Sequence, residues 1–215
     1  MTDLYYDISG DGPVLLIIPG GAGHPMGLDA MTGVLSTHFT VVTYDPLGLA
    51  HGRLGEPVAD QRVQDWSDRA RQVLDATLPE GEPAYVLGSS AGAVVALDLL
   101  ARHPERLRHV VAHEPPCVGV LPDGARQRAR FGEICDVYRA QGLAAAGALM
   151  TAVLEEREAG ELPAGQPLPR EEELLSPTAL SLAHVLRPFT SYVPEAGPSQ
   201  VRLTVGAGAD SRGQL

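Results

Sequence analysis

The stretch YVLGSSAGAVVAL, residues 85–97, decides the fold, because a glycine-flanked serine stands between an apolar strand-like run and an apolar helix-like run. Gly88, Ser90 and Gly92 follow the order G-x-S-x-G. A serine on a sharp, strained strand-to-helix turn leaves almost no room for side chains two residues to either side, so both positions need glycine. The pattern therefore predicts a nucleophilic Ser90; the alternative is an ordinary tight turn with a buried Ser90.

A second glycine cluster, IIPGGAGH at residues 17–24, ends an earlier strand-like run. Acyl transfer needs two preorganised backbone N–H donors for the oxyanion, one directly after the nucleophile and one from a loop on a neighbouring strand. Ala91 and Gly21 fit these two roles.

Short apolar runs alternate with longer amphipathic stretches, which is typical of strands joined by crossover helices in a mostly parallel sheet. Most of the strand candidates are continuous apolar runs, so we expect them to be buried on both faces. The predicted strands are residues 4–8, 13–19, 39–45, 84–88, 109–114 and 201–206, and the predicted helices between them are residues 28–38, 58–78 and 91–103.

The alternation stops after Pro116 and returns at Val201, and the residues between are helical in character. We predict an α/β core made of residues 1–118 and 198–215, with residues 119–197 inserted as a helical cap. The apolar cap residues could line a hydrophobic substrate pocket or pack between cap and sheet, and we favour packing. They are Leu143, Ala146, Leu149, Met150 and Val153.

The composition excludes several classes of function. Twenty-seven acidic and sixteen basic residues give a net charge of -11, which disfavours nucleic acid and anionic membranes as partners. All basic residues are arginine, so neither a Schiff-base lysine nor a phosphate-loop lysine is present. Cys117 and Cys135 lack metal-ligand spacing and are interpreted as reduced thiols. We expect a cytoplasmic protein, since the chain shows neither a secretory leader nor an apolar stretch of roughly 20 residues. The sequence contains no metal-binding motif and no complete dinucleotide fingerprint, so we expect neither a metal nor a cofactor.

The order of PVLLIIPGGAG (13–23), TVVTYDPLGLAHGR (40–53), YVLGSSAGAVVALDLLARHPERL (85–107) and VVAHEPP (110–116) resembles the α/β-hydrolase superfamily. It is most similar to the bacterial members with a helical cap after the sixth strand. The resemblance implies an α/β-hydrolase fold with helices on both faces of the sheet. It also implies a nucleophile at Ser90, an oxyanion loop at Gly20 and Gly21, and an acid at Asp210.

The same resemblance limits the reactions that we expect of the protein. Epoxide hydrolases and haloalkane dehalogenases of the family usually carry aspartate at the position of Ser90, so the serine argues against both. Cleavage of an ester, thioester, lactone or amide through an acyl-enzyme remains. We expect a serine hydrolase that acts on a small hydrophobic molecule; the alternative is a catalytically inactive protein of this fold that binds a ligand or assembles with a partner.

The catalytic base is the part of the site that the sequence leaves open. Serine needs a base, normally a histidine oriented by a carboxylate, and the resemblance places that histidine after Asp210. Of three explanations, we favour that the 215 residues are a shortened form of a longer protein. Otherwise His24, His51 or His113 is recruited, since all three are expected at the carboxyl edge of the sheet.

A third explanation is that the fold has lost its chemistry. The open edge beside residues 201–206 would then associate with a second copy or with a complementing C-terminal segment. For the acid we favour Asp210, with Glu114 as the alternative because it ends the strand next to the elbow strand.

Overall fold

The computed structural model describes residues 4–21, 28–49, 58–195, 197 and 199–211, and its centre is a six-stranded sheet. The strand order is β1-β3-β2-β4-β5-β6, in which β1 runs antiparallel to β3 and every other pair is parallel. The strands are β1 Tyr6–Ser9, β2 Val14–Ile18, β3 Thr40–Tyr44, β4 Ala84–Ser89, β5 Leu107–His113 and β6 Arg202–Gly206. All six strands predicted from the sequence are present, and the predicted fold class is confirmed.

Helices cover both faces of the sheet. Helix α1 (Asp29–Leu35) packs on the face that carries Leu15 and Ile17, whereas α2 (Val63–Thr77) and α3 (Ala91–Arg102) pack on the face that carries Leu16 and Ile18. The alternation of buried residues along β2 explains this, because successive side chains of a strand point to opposite faces. Five apolar residues recur at helical spacing along α2, and all five are buried: Val63, Trp66, Ala70, Val73 and Leu74.

The segment between β5 and β6 consists of helices and turns, while its division from the core as a separate cap stays a prediction. Its helices are α4 Gly124–Gln141, α5 Leu143–Leu154, α6 Arg170–Glu173, α7 Pro177–Leu180 and α8 Leu186–Thr190, with a π-helical turn at Ser181–Val185. Ala146, Leu149 and Val153 of α5 are buried against α4, so these residues form a core within the insertion. Within the described ranges, no helix combines the length and hydropathy needed to cross a bilayer.

The expectation that strands are buried on both faces is confirmed for β2 and is wrong for the edge strands β1 and β6. Leu203 and Val205 of β6 keep 43% and 63% of their surface exposed. Among the described residues β6 pairs only with β5, and α1, α2 and α3 cover the central strands instead. The expected association of a partner at this edge stays a prediction.

Candidate active site

Ser90 stands on a strained turn between β4 and α3. Its φ and ψ are 52° and -121°, a backbone conformation that a residue with a side chain rarely adopts, and its side chain is exposed. Such strain costs roughly 1–3 kcal/mol and persists only where the surrounding structure enforces it, which is commonly at functional sites. The exposure contradicts the alternative of a buried serine in an ordinary turn.

The two glycines of the motif are required by close backbone contacts. A Cβ on Gly88 would overlap the carbonyl oxygen of Gly92, and a Cβ on Gly92 would overlap the carbonyl oxygen of Ile18 at the end of β2. Both contacts are with backbone atoms, which cannot swing away as a flexible side chain can. The steric reason for the G-x-S-x-G spacing is therefore confirmed in this chain.

The predicted oxyanion loop lies against this turn. β2 pairs directly with β4, and a Cβ on Gly20 would be 3.1 Å from the Cβ of Ser90. Gly21, the next residue, has a φ of +65°, which glycine adopts without strain. Ala91 is the first residue of α3, where backbone N–H groups have no acceptor within the helix. The geometry thus brings both predicted donor segments next to Ser90.

Backbone hydrogen bonds connect the serine turn to the ends of β5 and β6. The Ser90 N–H donates to the carbonyl of His113 at 2.9 Å, and the Glu114 N–H donates to the carbonyl of Gly206 at 2.8 Å. Asp210 lies just beyond β6, in the 3-10 turn Ala209–Ser211. The predicted acid is therefore on the same carboxyl edge of the sheet as the predicted nucleophile.

Glu114, the alternative acid, is engaged with that 3-10 turn. Its carboxylate accepts hydrogen bonds from the Ser211 hydroxyl and from the Gly208 N–H, the latter at 2.8 Å. These two donors, the Ser211 hydroxyl most strongly, hold the pKa of the Glu114 carboxyl below its usual value. Glu114 also has a positive φ of 50°.

Of the three candidate histidines, only His113 lies among the described residues. His24 and His51 lie outside the described residues. His113 ends β5, is half exposed, and its Nδ1 atom is 4.0 Å from the Glu114 Oε2 atom. No histidine hydrogen-bonds the Ser90 hydroxyl in the part of the chain that the structure describes.

A cavity of about 470 Å³ adjoins the serine turn on the α1 side of the sheet. Its walls are mostly apolar and include Ile17, Met31 and Val111, while Ser89 and His113 add polar atoms. Ser89, not Ser90, contributes to the lining, so the cavity lies beside the predicted nucleophile instead of in front of it.

The two cysteines take no part in this site. Cys117 and Cys135 are free and buried, as the sequence predicts. Burial raises the pKa of the Cys117 thiol to about 11, which keeps it protonated and unreactive near neutral pH.

The π-helical turn Ser181–Val185 contributes side chains near the candidate site that the sequence does not predict. The Ser181 Oγ atom lies 3.7 Å from the position that a Cβ on Gly21 would occupy, so this hydroxyl faces the predicted oxyanion loop. In the same turn the His184 Nδ1 atom lies 3.1 Å from Asp60 and its Nε2 atom 3.5 Å from Glu173. π-Helical turns often occur at functional sites, but apolar periodicity does not reveal them, and no signal in the sequence marks this one.

Comparisons with known proteins agree with the fold. A family model described as alpha/beta hydrolase fold matches residues 13–148, which is more than half of the chain. An uncharacterized hydrolase, YraK of Bacillus subtilis (strain 168), is 38% identical over 120 residues, which cover 56% of this chain and 44% of that protein. A zearalenone hydrolase of Bionectria ochroleuca is 30% identical over 115 residues, which cover 52% and 43% of the two chains. The matched part thus spans less than half the length of these relatives.

Solved structures match over almost the whole chain. A hydrolase from Pseudomonas aeruginosa PA01 has a TM-score of 0.62 at 23% identity and covers 96% of this chain and 76% of its own. A carboxylesterase structure from the thaumarchaeon Nitrososphaera gargenis has a TM-score of 0.64 at 19% identity and covers 99% and 79%. At these identities the similarity shows the fold alone. Together with the family match, it establishes that the chain belongs to the alpha/beta hydrolase fold family.

Proposed function

We propose that this protein is a serine hydrolase that cleaves a carboxylic ester, thioester, lactone or amide through an acyl-enzyme on Ser90. The observation that carries the proposal is the strained, exposed Ser90, held in place by two glycines whose replacement would overlap backbone atoms. The names of the relatives, YraK and the zearalenone hydrolase, support hydrolysis as the reaction.

In the proposed mechanism the Ser90 hydroxyl attacks the substrate carbonyl while a histidine takes its proton. The N–H groups of Gly21 and Ala91 stabilise the oxyanion, and Asp210 orients the histidine. The alcohol, thiol or amine then leaves with the proton, and water hydrolyses the acyl-enzyme by the reverse proton transfers. The chemistry needs no metal or cofactor, since the nucleophile, the oxyanion donors and the acid all come from the chain.

We propose a small hydrophobic molecule as the substrate. The cavity beside the serine turn supports this proposal, because its mostly apolar walls suit the acyl or ring portion of such a substrate. The apolar side chains of α5 do not add support, because Ala146, Leu149 and Val153 are occupied in the core of the insertion.

Hydrolysis of p-nitrophenyl esters tests the proposed function. The full-length wild-type protein is expected to release p-nitrophenol, and Ser90→Ala in the same full-length chain is expected to lose nearly all of this activity. Ser9→Ala is the matched control, because it removes an exposed hydroxyl of β1 that lies opposite the amino end of β3, away from the serine turn; it should retain activity. A folded wild-type protein with no more activity than Ser90→Ala would instead indicate the inactive ligand-binding alternative.

A further inference from the structure

Glu114 is the second residue at this edge of the sheet with a positive φ and a side chain. A φ of 50° at a glutamate is strained, and strain of this kind persists where neighbouring contacts enforce it. Here the contacts are known: the Glu114 N–H donates to Gly206, and its carboxylate accepts from Gly208 and Ser211. Glu114 thus binds both the last residue of β6 and the turn that follows it.

These bonds continue directly to the nucleophile. His113, the residue before Glu114, accepts the hydrogen bond of the Ser90 N–H through its carbonyl. Two consecutive residues at the end of β5 therefore hold the serine turn on one side and the Asp210 turn on the other. The contacts to Gly208 and Ser211 flank Asp210 in sequence and fix the backbone that carries it.

The same contacts argue against Glu114 as the acid that orients a histidine. Its carboxylate already accepts hydrogen bonds from the Gly208 N–H and the Ser211 hydroxyl, and the His113 Nδ1 atom lies 4.0 Å from its Oε2 atom, too far for a hydrogen bond. A carboxylate that orients a catalytic base needs a short hydrogen bond to that base. Asp210 makes that bond in the proposed mechanism, and the lowered pKa of Glu114 fits a carboxylate that is charged to serve as an acceptor.

We propose that Glu114 is a positioning residue that holds the turn at residues 207–211, and with it Asp210, beside the Ser90 turn. This inference rests on the proposed function for its effect on rate. The effect of Glu114 on the order of the turn at residues 207–211 can be measured whether or not the protein is active.

The test compares Glu114→Ala, Glu114→Gln and Asp210→Asn in the full chain. Glutamine keeps an oxygen acceptor for the Gly208 N–H, so Glu114→Gln should lower kcat by only a few fold, while Glu114→Ala should lower kcat about 10- to 100-fold with little change in KM. Asp210→Asn should lower kcat on the order of 10⁴-fold, as expected for the acid of a triad. Glu80→Ala, an exposed glutamate at the opposite end of β4, is the matched control and should leave the rate unchanged.

Hydrogen exchange of the peptide that contains residues 207–211 provides the second readout. Exchange should be faster in Glu114→Ala, close to wild type in Glu114→Gln, and unchanged in Glu80→Ala. The proposal is overturned if Glu114→Ala leaves this exchange unchanged, if exchange rises without a loss of rate, or if Glu114→Gln is as damaging as Asp210→Asn. An inactive wild-type protein would refute the proposed function separately, and exchange would still decide whether Glu114 holds the turn.

Discussion

At the scale of single residues, the serine turn depends on space that only glycine leaves. Gly92→Ala places a methyl group against the carbonyl oxygens of Ile18 and Pro19, which belong to the strand and loop that the predicted oxyanion donor follows. We expect a loss of about 1–3 kcal/mol in the free energy of unfolding, together with loss of esterase activity. Urea denaturation measures the first effect.

Gly147→Ala is the control for that substitution. Gly147 lies in α5, where an added Cβ meets nothing within 4 Å, so alanine should raise the free energy of unfolding by about 0.5–1 kcal/mol through its helix propensity. If both variants changed stability by the same amount, the steric account of Gly92 would be refuted.

We also expect the stability of the protein to depend on pH through the carboxyl of Glu114. Its pKa is lower in the folded protein than the ordinary value of 4.5, because the Ser211 hydroxyl and the Gly208 N–H bond the charged form. A group with a lowered folded-state pKa contributes stability that is fully present above its unfolded-state pKa and is lost as the pH falls through the folded-state pKa.

The free energy of unfolding should therefore fall less steeply below pH 4.5 in Glu114→Gln than in the wild type. Urea midpoints measured from pH 6 downward provide the comparison, with Glu80→Gln as the control. Parallel pH profiles for Glu114→Gln and the wild type would contradict the assigned hydrogen bonds.

At the scale of elements, α8 joins the inserted helices to the core. Phe189 is buried, and its ring lies 4.9 Å from the ring of Trp66 on α2 in an edge-to-face arrangement. Nearby, the Tyr192 hydroxyl donates to the buried carboxylate of Asp98 on α3 at 2.5 Å. These contacts fix the end of the insertion on the face of the sheet that carries α2 and α3.

Phe189→Ala should lower the free energy of unfolding by about 3–5 kcal/mol, because it removes a fully buried ring and leaves a cavity. Phe189→Leu should lower the free energy of unfolding by less, since leucine fills most of the space that the ring occupies. The measurement is equilibrium denaturation monitored by the fluorescence of Trp66, the single tryptophan of the chain. A loss below about 1 kcal/mol in Phe189→Ala would show that α8 is not part of the folded core.

At the scale of the whole molecule, the sequence predicts the features that depend on local patterns. The six strands follow from apolar runs, and the serine turn follows from three residues whose steric demands are local. The inner face of α2 follows from helical periodicity around Trp66.

The features that the sequence does not predict depend on contacts between distant segments. Glu114 and Gly208 are 94 positions apart, and their hydrogen bond arises only once β5 and β6 are neighbours. The π-helical turn with Ser181 and His184 is set by the packing of the insertion on the core. The exposure of β6 depends on which strands the helices cover, so the sequence does not reveal that its apolar residues Leu203 and Val205 are exposed.

Labelling with a fluorophosphonate probe tests the central claim most directly, because the probe reacts only with a serine that a base activates. We predict one adduct on the full-length wild-type protein, mapped to Ser90 by mass spectrometry of its peptides, retained in Ser9→Ala and lost in Ser90→Ala. A folded wild-type protein that stays unlabelled, or that carries the adduct on a different serine, would contradict it.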